Sequence, residues 1–111
     1  MPKAILIVQS APASPDREAE YNEWYDTVHL ADVCAIPGVT GAKRYKLSDA
    51  NPLGNAEGAL PYIAIYEIES DDLTATLNEL PARSMDGRMQ MSDVLGMDPM
   101  PVLSLYELHE G

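Results

Sequence analysis

The sequence predicts an α+β fold of the ferredoxin-like type, β-α-β-β-α-β, in which two helices cover one face of a four-stranded antiparallel sheet. Three observations predict it. Short apolar runs with strand character alternate with two segments of helical periodicity. Pro and Gly punctuation separates these segments cleanly. Their order, one strand, then a helix, two strands, a second helix and a last strand, matches the split β-α-β arrangement. With 111 residues and 46% hydrophobic content the chain is large enough for one core and too small for two, so residues 1–111 read as a single domain.

Lys3 to Gln9 is short, β-branched in part and closed by Ser10-Ala11-Pro12, as a buried strand should be. Ser14 then offers an N-cap, Pro15 the first helical position, and Asp16 and Glu18 an acidic first turn. The helix is expected to run to Leu30 or Cys34. Tyr21, Trp24, Tyr25 and Val28 recur at i, i+3, i+4 and i+7, so one face is aromatic and apolar, and Pro37-Gly38 ends the segment. Trp24 and Tyr25 are primarily core residues on this pattern.

Val39 to Leu47 reads as a partly exposed strand punctuated by Lys43, Arg44 and Lys46, and Asp49 to Gly58 as a loop. Pro61 to Glu69 is a third strand, with Tyr62, Ala64, Tyr66 and Ile68 on one face and Ile63, Ile65 and Glu67 on the other. Ser70-Asp71-Asp72 starts a second helix whose stripe of Leu73, Leu77 and Leu80 is expected to end at Pro81. From Ala82 to Pro101, Met85, Met89, Met91, Met97 and Met100 accompany glycines and prolines in an irregular or short-helical flap. Val102 to His109 closes the chain as a fourth strand.

Two helices on one face leave the other face bare. Ile5, Ile7, Ile63 and Ile65 on that face predict a homodimer, with a second copy packing against it. The net charge of -11, from 18 acidic against 7 basic residues, opposes nucleic acid and anionic membrane surfaces. Cys34 is the one cysteine, so no intrachain disulfide is possible and a reducing, cytoplasmic compartment is expected. The opening MPKAILIVQS has neither a cleavage-like apolar region nor the roughly 20 residues of a membrane span.

His29 is the residue with the most chemistry to offer. At about 100° per residue it sits about 80° from Tyr21, at the edge of the aromatic face beside Tyr25 and near Asn22. With an ordinary pKa of about 6.5, an imidazole there can accept a proton and return it near neutrality. Asn22 and tyrosine hydroxyls can orient the ring or hydrogen-bond a substrate oxygen. The alternative is a boundary histidine satisfied by a helix carbonyl or by a carboxylate of the dimer partner. Tyr66 and Tyr106 lie mid-strand with hydroxyls that need partners, either in the same cleft or in dimer packing. Arg44 reads either as a solvated edge charge or as a contact for a substrate anion. His109 lies near the chain end and has no role beyond possible dimer contacts.

Other chemistries lack a pattern. No Gly-rich loop opens a helix in nucleotide-binding form, and the serines have no nucleophile-elbow context. The series Asp26, His29, Asp32 could ligate a metal, but Asp26 projects about 60° from His29, so no metal site is expected. Cys34 falls in an apolar segment and reads as a small core residue.

The run NEWYDTVHLADVCAIPGVTGAKRYKL resembles the EthD-like proteins of the dimeric α+β barrel superfamily, whose first helix has the form N-x-W-Y-x-x-V-H-L ahead of a P-G turn and a strand ending near R-Y. The closing SDVLGMDPMPVLSLYEL looks like that family's last helix-to-strand passage. A proline usually follows the His-Leu pair, and Ala31 stands in its place here. The resemblance implies a small hydrophobic or aromatic substrate in a cleft between helices and sheet of each subunit. The superfamily includes monooxygenases, isomerases, cyclases, dehydratases and haem-processing enzymes, so the fold alone does not choose the reaction. The reading of the residues is a cofactor-independent lyase or isomerase with His29 as general acid/base and Asn22, Tyr25, Tyr66, Tyr106 and Arg44 as substrate-binding candidates. The alternatives are a cofactor-free or haem-handling monooxygenase and a non-catalytic small-ligand-binding protein.

Overall fold

The computed structural model describes residues 2–110. Four strands, β1 (Lys3–Ser10), β2 (Val39–Lys46), β3 (Tyr62–Glu69) and β4 (Val102–Glu107), form one sheet in the order β2-β3-β1-β4. Every neighbouring pair is antiparallel. This is the ferredoxin-like arrangement the element order predicts, with the helices on one face.

The first helix is continuous but not uniform. It opens as a 3₁₀ turn (Pro15–Arg17), continues as α1 (Glu18–Trp24), widens into a π turn (Tyr25–His29) and finishes as α2 (Leu30–Cys34). Ser14 does not cap the backbone; its hydroxyl donates to the Asp16 carboxylate instead. In the π turn the Leu30 amide donates to the carbonyl of Tyr25, five residues back. A π turn absorbs one extra residue and so rephases everything beyond it. In a regular helix Val33 would point about 120° from Tyr21; with one residue absorbed the offset is about 20°. Tyr21, Tyr25 and Val33 are accordingly all buried against the sheet.

Alternation along β3 places the predicted face inward: Tyr62, Ala64, Tyr66 and Ile68 are buried. They pack with Ala4 and Leu6 of β1, with Tyr21, Tyr25, Val33 and Ile36, and with Leu73, Leu77 and Leu80 of the second helix. Gly38, at φ +101°, makes the turn between the first helix and β2, and a Cβ there would crowd Thr76 and the Glu69 carbonyl at 3.3 Å.

The second helix, α3 (Leu73–Asp86), corrects the sequence reading. Pro81 does not end it; the helix runs on to Asp86 and stops at Gly87, at φ +87°. Asp72 caps its start by accepting from the Ala75 amide. Pro81 is solvent-exposed, so its ring displaces no core side chain, and the helix gives up the hydrogen bond to the Leu77 carbonyl. Pro81→Ala is therefore expected to raise the unfolding free energy by about 1–3 kcal/mol in urea titration; an unchanged midpoint would mean the helix is already bent to suit the ring.

Residues 87–101 form the flap. Its own Met89 and Val94 are buried in the core cluster. Its backbone is tied to the loop after β1 by Ala13 N–H to Val94 O at 2.7 Å and Gly96 N–H to Ala11 O at 2.8 Å. Beyond it, β4 pairs along the edge of β1, and Leu108 N–H extends the ladder to Lys3 O. No helix among the described residues is long and apolar enough to cross a membrane.

Candidate functional site

Between the first helix, the sheet and the flap lies a cavity of about 260 Å³. Its wall is mainly aliphatic and thioether, from Leu6, Val8 and Leu103 of the sheet, Val33 and Leu80 of the helices, and Met89, Met91, Met97 and Met100 of the flap. Tyr25, His29 and Tyr66 bring the aromatic and titratable groups. An engineered apolar cavity of about 150 Å³ accommodates benzene, so this one has room for a substituted ring.

The π turn brings His29 here. A regular helix leaves it about 80° from Tyr21, at the edge of the aromatic face; with the extra residue absorbed, the offset is about 20°. The imidazole is held between two rings. Trp24 stacks on it at 4.7 Å between centroids and 24° between planes, and Tyr25 meets it edge-on at 4.9 Å and 84°. Trp24 is fixed in turn by donating its Nε1–H to the Gln90 carbonyl at 3.0 Å, while Asp32 accepts the Gln90 amide at 2.8 Å. One flap residue thus locks the helix side chains on both sides of His29.

Two polar groups on the cavity wall are buried without a hydrogen-bond partner among the described residues: Nδ1 of His29 and the hydroxyl of Tyr66. Burial lowers the His29 pKa to about 4; Asp32 opposes this, and the Arg44 cation adds to it by less than Asp32 takes away. The ring is therefore neutral at pH 7. Burial also raises the Tyr66 pKa above that of a free phenol, and the neighbouring Tyr25 hydroxyl pushes the same way without forming a hydrogen bond of proper geometry. Tyr66 is thus a protonated donor in an apolar wall.

Arg44 is not the solvated edge charge that its neighbours in sequence suggest. It lies on the helix-facing side of β2, opposite the small Ala64, which leaves room for its long side chain. The side chain is only 11% exposed. Its guanidinium lies 4.3 Å from the Tyr25 ring centroid, 5.1 Å from that of Tyr62 and 5.2 Å from that of Tyr21. Nη1 pairs with Asp26 at 2.8 Å, whereas Nε and Nη2 are buried without partners. Arg44 stands behind Tyr25 and does not line the cavity itself.

The remaining candidates separate. Asn22 donates to the Tyr62 hydroxyl at 3.2 Å, and that hydroxyl donates to Glu18 at 2.6 Å; this cluster is outside the cavity. Tyr106 pairs with Ile5 on the opposite face of the sheet and is 58% exposed, so a single subunit does not bring it to His29. It lines a broad trough of about 670 Å³ with Lys3, Ile5, Glu67, Glu69 and His109. Asp26 and Asp32 diverge from His29, one to Arg44 and one to the flap, so the acidic series on this helix does not converge on one point. Cys34 is half-buried, and burial raises its thiol pKa, which keeps it protonated and weakly nucleophilic. The flap residues that close the site have no signal in sequence beyond their methionine content.

Fold and cavity together define a domain of the ferredoxin-like α+β class with an apolar, aromatic-walled pocket under one helix. The same fold occurs in an ethyl tert-butyl ether D (EthD) family protein from Bacillus halodurans C-125, which is 16% identical, with a TM-score of 0.61 over 98% of this chain and 100% of that one. It occurs also in a candidate monooxygenase from Shewanella loihica PV-4, 16% identical, with a TM-score of 0.60 over 100% of this chain and 99% of that one. No family model matches the chain, and no curated protein matches it in sequence. At this identity the likeness establishes the fold.

Proposed function

We propose that the chain is a cofactor-independent enzyme, a lyase or isomerase, that moves a proton on a small aromatic or otherwise apolar metabolite, with His29 as the general acid/base. The observation that carries this reading is the pair of unpartnered groups, imidazole Nδ1 and Tyr66 hydroxyl, on the wall of an otherwise apolar cavity. A buried polar group left without a partner costs about 1–3 kcal/mol, and a ligand with one oxygen and one acidic C–H or O–H satisfies both.

In this scheme neutral His29 takes a proton from the carbon beside a carbonyl, and the bonding pair moves onto the carbonyl oxygen. Tyr66 donates a hydrogen bond to that oxygen as its negative charge develops. Imidazolium then returns the proton, either to a departing hydroxyl, completing a dehydration, or to another carbon, completing an isomerisation. Dehydration and isomerisation share the first step, so the pocket's chemistry is stated at that step. Trp24, Tyr25 and the Gln90 clamp keep the ring in place, and the methionines adapt to the ligand's apolar body.

A second reading follows the Shewanella loihica protein. Deprotonation of a phenol in the same pocket would supply an electron-rich anion that reduces oxygen itself. A ring carbon takes one oxygen atom, the ring is oxidised to a quinone, and the second oxygen atom leaves as water, which makes the protein a cofactor-free monooxygenase. A cavity of about 260 Å³ favours a ligand of one or two rings over a macrocycle the size of haem. Two copies are proposed to join through the open face that carries Ile5, Ile7, Ile63, Ile65 and Tyr106.

The test works without an identified substrate. The protein is incubated in heavy water with a panel of cyclic ketones, lactones and phenols, and deuterium wash-in at carbon is read by mass spectrometry alongside oxygen consumption. Exchange that depends on His29 supports the lyase or isomerase; oxygen uptake moves the assignment to the monooxygenase. Tight binding without either outcome makes the protein a carrier. Native mass spectrometry of the same sample reads the subunit count, and a monomer at micromolar concentration overturns the dimer.

A further inference from the structure

We infer that Arg44 is a specificity-determining residue that biases the His29 cavity toward aromatic ligands bearing, or developing, a negative charge on oxygen. This rests on the cavity reading above and names the class of ligand within it. In a chain with a net charge of -11 the long-range field repels anions, so selection of an anion must come from a local cation.

Arg44 is placed to be that cation. Its guanidinium faces Tyr25 at 4.3 Å, and Tyr25 in turn meets His29 at 4.9 Å, so two successive ring spacings separate the charge from the imidazole. The path between them runs through the buried Tyr25 ring, which leaves the field poorly screened. The counter-charge lies on the other side. Asp26 touches only Nη1 and its side chain is 58% exposed, so water screens it, whereas Nε and Nη2 are buried and unpaired. Beyond Tyr62, Glu18 and Lys46 approach each other at 3.8 Å and largely cancel. Asp32, on the imidazole's own helix, accepts the Gln90 amide at the flap. Burial apart, Arg44 lowers the His29 pKa, while Asp32, held at the flap, acts in the opposite sense and more strongly, so the cation's pull is confined to the Tyr25 side of the cavity.

A phenolate or an enolate seated against Tyr25 therefore gains from Arg44, and a neutral ring of the same shape does not. At an effective dielectric near 20, a unit charge at this range corresponds to about a tenfold preference.

The probes are 4-nitrophenol, at a mildly alkaline pH where it is ionised, and 4-nitroanisole, its neutral counterpart, each titrated by absorbance. In Arg44→Met the ratio of phenolate to anisole affinity should fall about tenfold with anisole affinity little changed. Arg44→Lys, which keeps the charge, should retain the preference, and Asp26→Asn, which removes the counter-charge, should raise it severalfold. An unchanged ratio in Arg44→Met overturns the inference. If that variant does not fold, an unchanged ratio in Asp26→Asn overturns it instead. Failure of both probes to bind the native protein is a different result, since it removes the cavity reading and this inference with it.

Discussion

Replacing His29 with alanine is expected to slow turnover by about 10²–10⁴-fold, the range that a positioned acid/base contributes, while ligand affinity stays within about tenfold. The split follows from the cavity. Most of its wall is apolar and survives the substitution, so binding of a small ring is retained, whereas proton transfer has no substitute group. The pH profile provides an independent readout. His29 in the free protein is protonated only below a pH of about 4 because burial disfavours the imidazolium. The base form therefore persists through neutrality, and the acid limb of kcat/KM should fall near 4 and not near the ordinary histidine value of about 6.5. A base of such low affinity for protons gains from the anion that forms beside it, because the substrate's new negative charge stabilises the imidazolium. If affinity and turnover fall together in His29→Ala, the ring binds ligand and does not move a proton.

The fold was legible because its signals are periodic. Alternation in β3 separates Tyr66 from Ile65, and an aromatic spacing of three and four marks the helix face that carries Tyr21 and Tyr25. The site was legible only in part, since it depends on departures from period. The helix reading puts His29 at the margin; the π turn, which no residue in Tyr25–His29 announces, swings it inward. Pro81 is an ordinary stop signal that fails here because it sits on the exposed side of α3. Arg44 carries a subtler signal: it alternates in phase with Ala42, and Ala42 lies opposite Tyr66 while Arg44 lies opposite Ala64. Charge at a strand position suggests solvent, yet a small cross-strand residue beside tyrosines makes room for a guanidinium. Tyr106 shows the converse. Its residue type matches Tyr66, but register decides the face, and it pairs with Ile5 on the open side.

Acid is expected to destabilise the native protein specifically through His29. In the unfolded chain this imidazole takes up a proton as the pH falls past 6.5, whereas in the folded chain it does not until about 4. Between these values the unfolded state binds more protons, so stability falls as the pH falls, and it levels off below about 4. The full interval corresponds to roughly 3 kcal/mol, and water reaching the part-exposed ring reduces this to about 2 kcal/mol. Asp16 and Asp86 have lowered pKa values, held by Ser14 and by Arg88, and lose stability in the same direction at lower pH, so the native protein must be compared with a variant that keeps them. His29→Gln is that variant, because its amide does not titrate. Urea unfolding at pH 7 and about pH 4.5 should show the native protein losing about 1.5 kcal/mol more than His29→Gln. Equal losses would mean that the ring is hydrated in solution, which requires the flap to be open and the Trp24–Gln90 contact broken. The stacked arrangement would then form only with ligand present, and the aromatic clamp would be a product of binding and not its template.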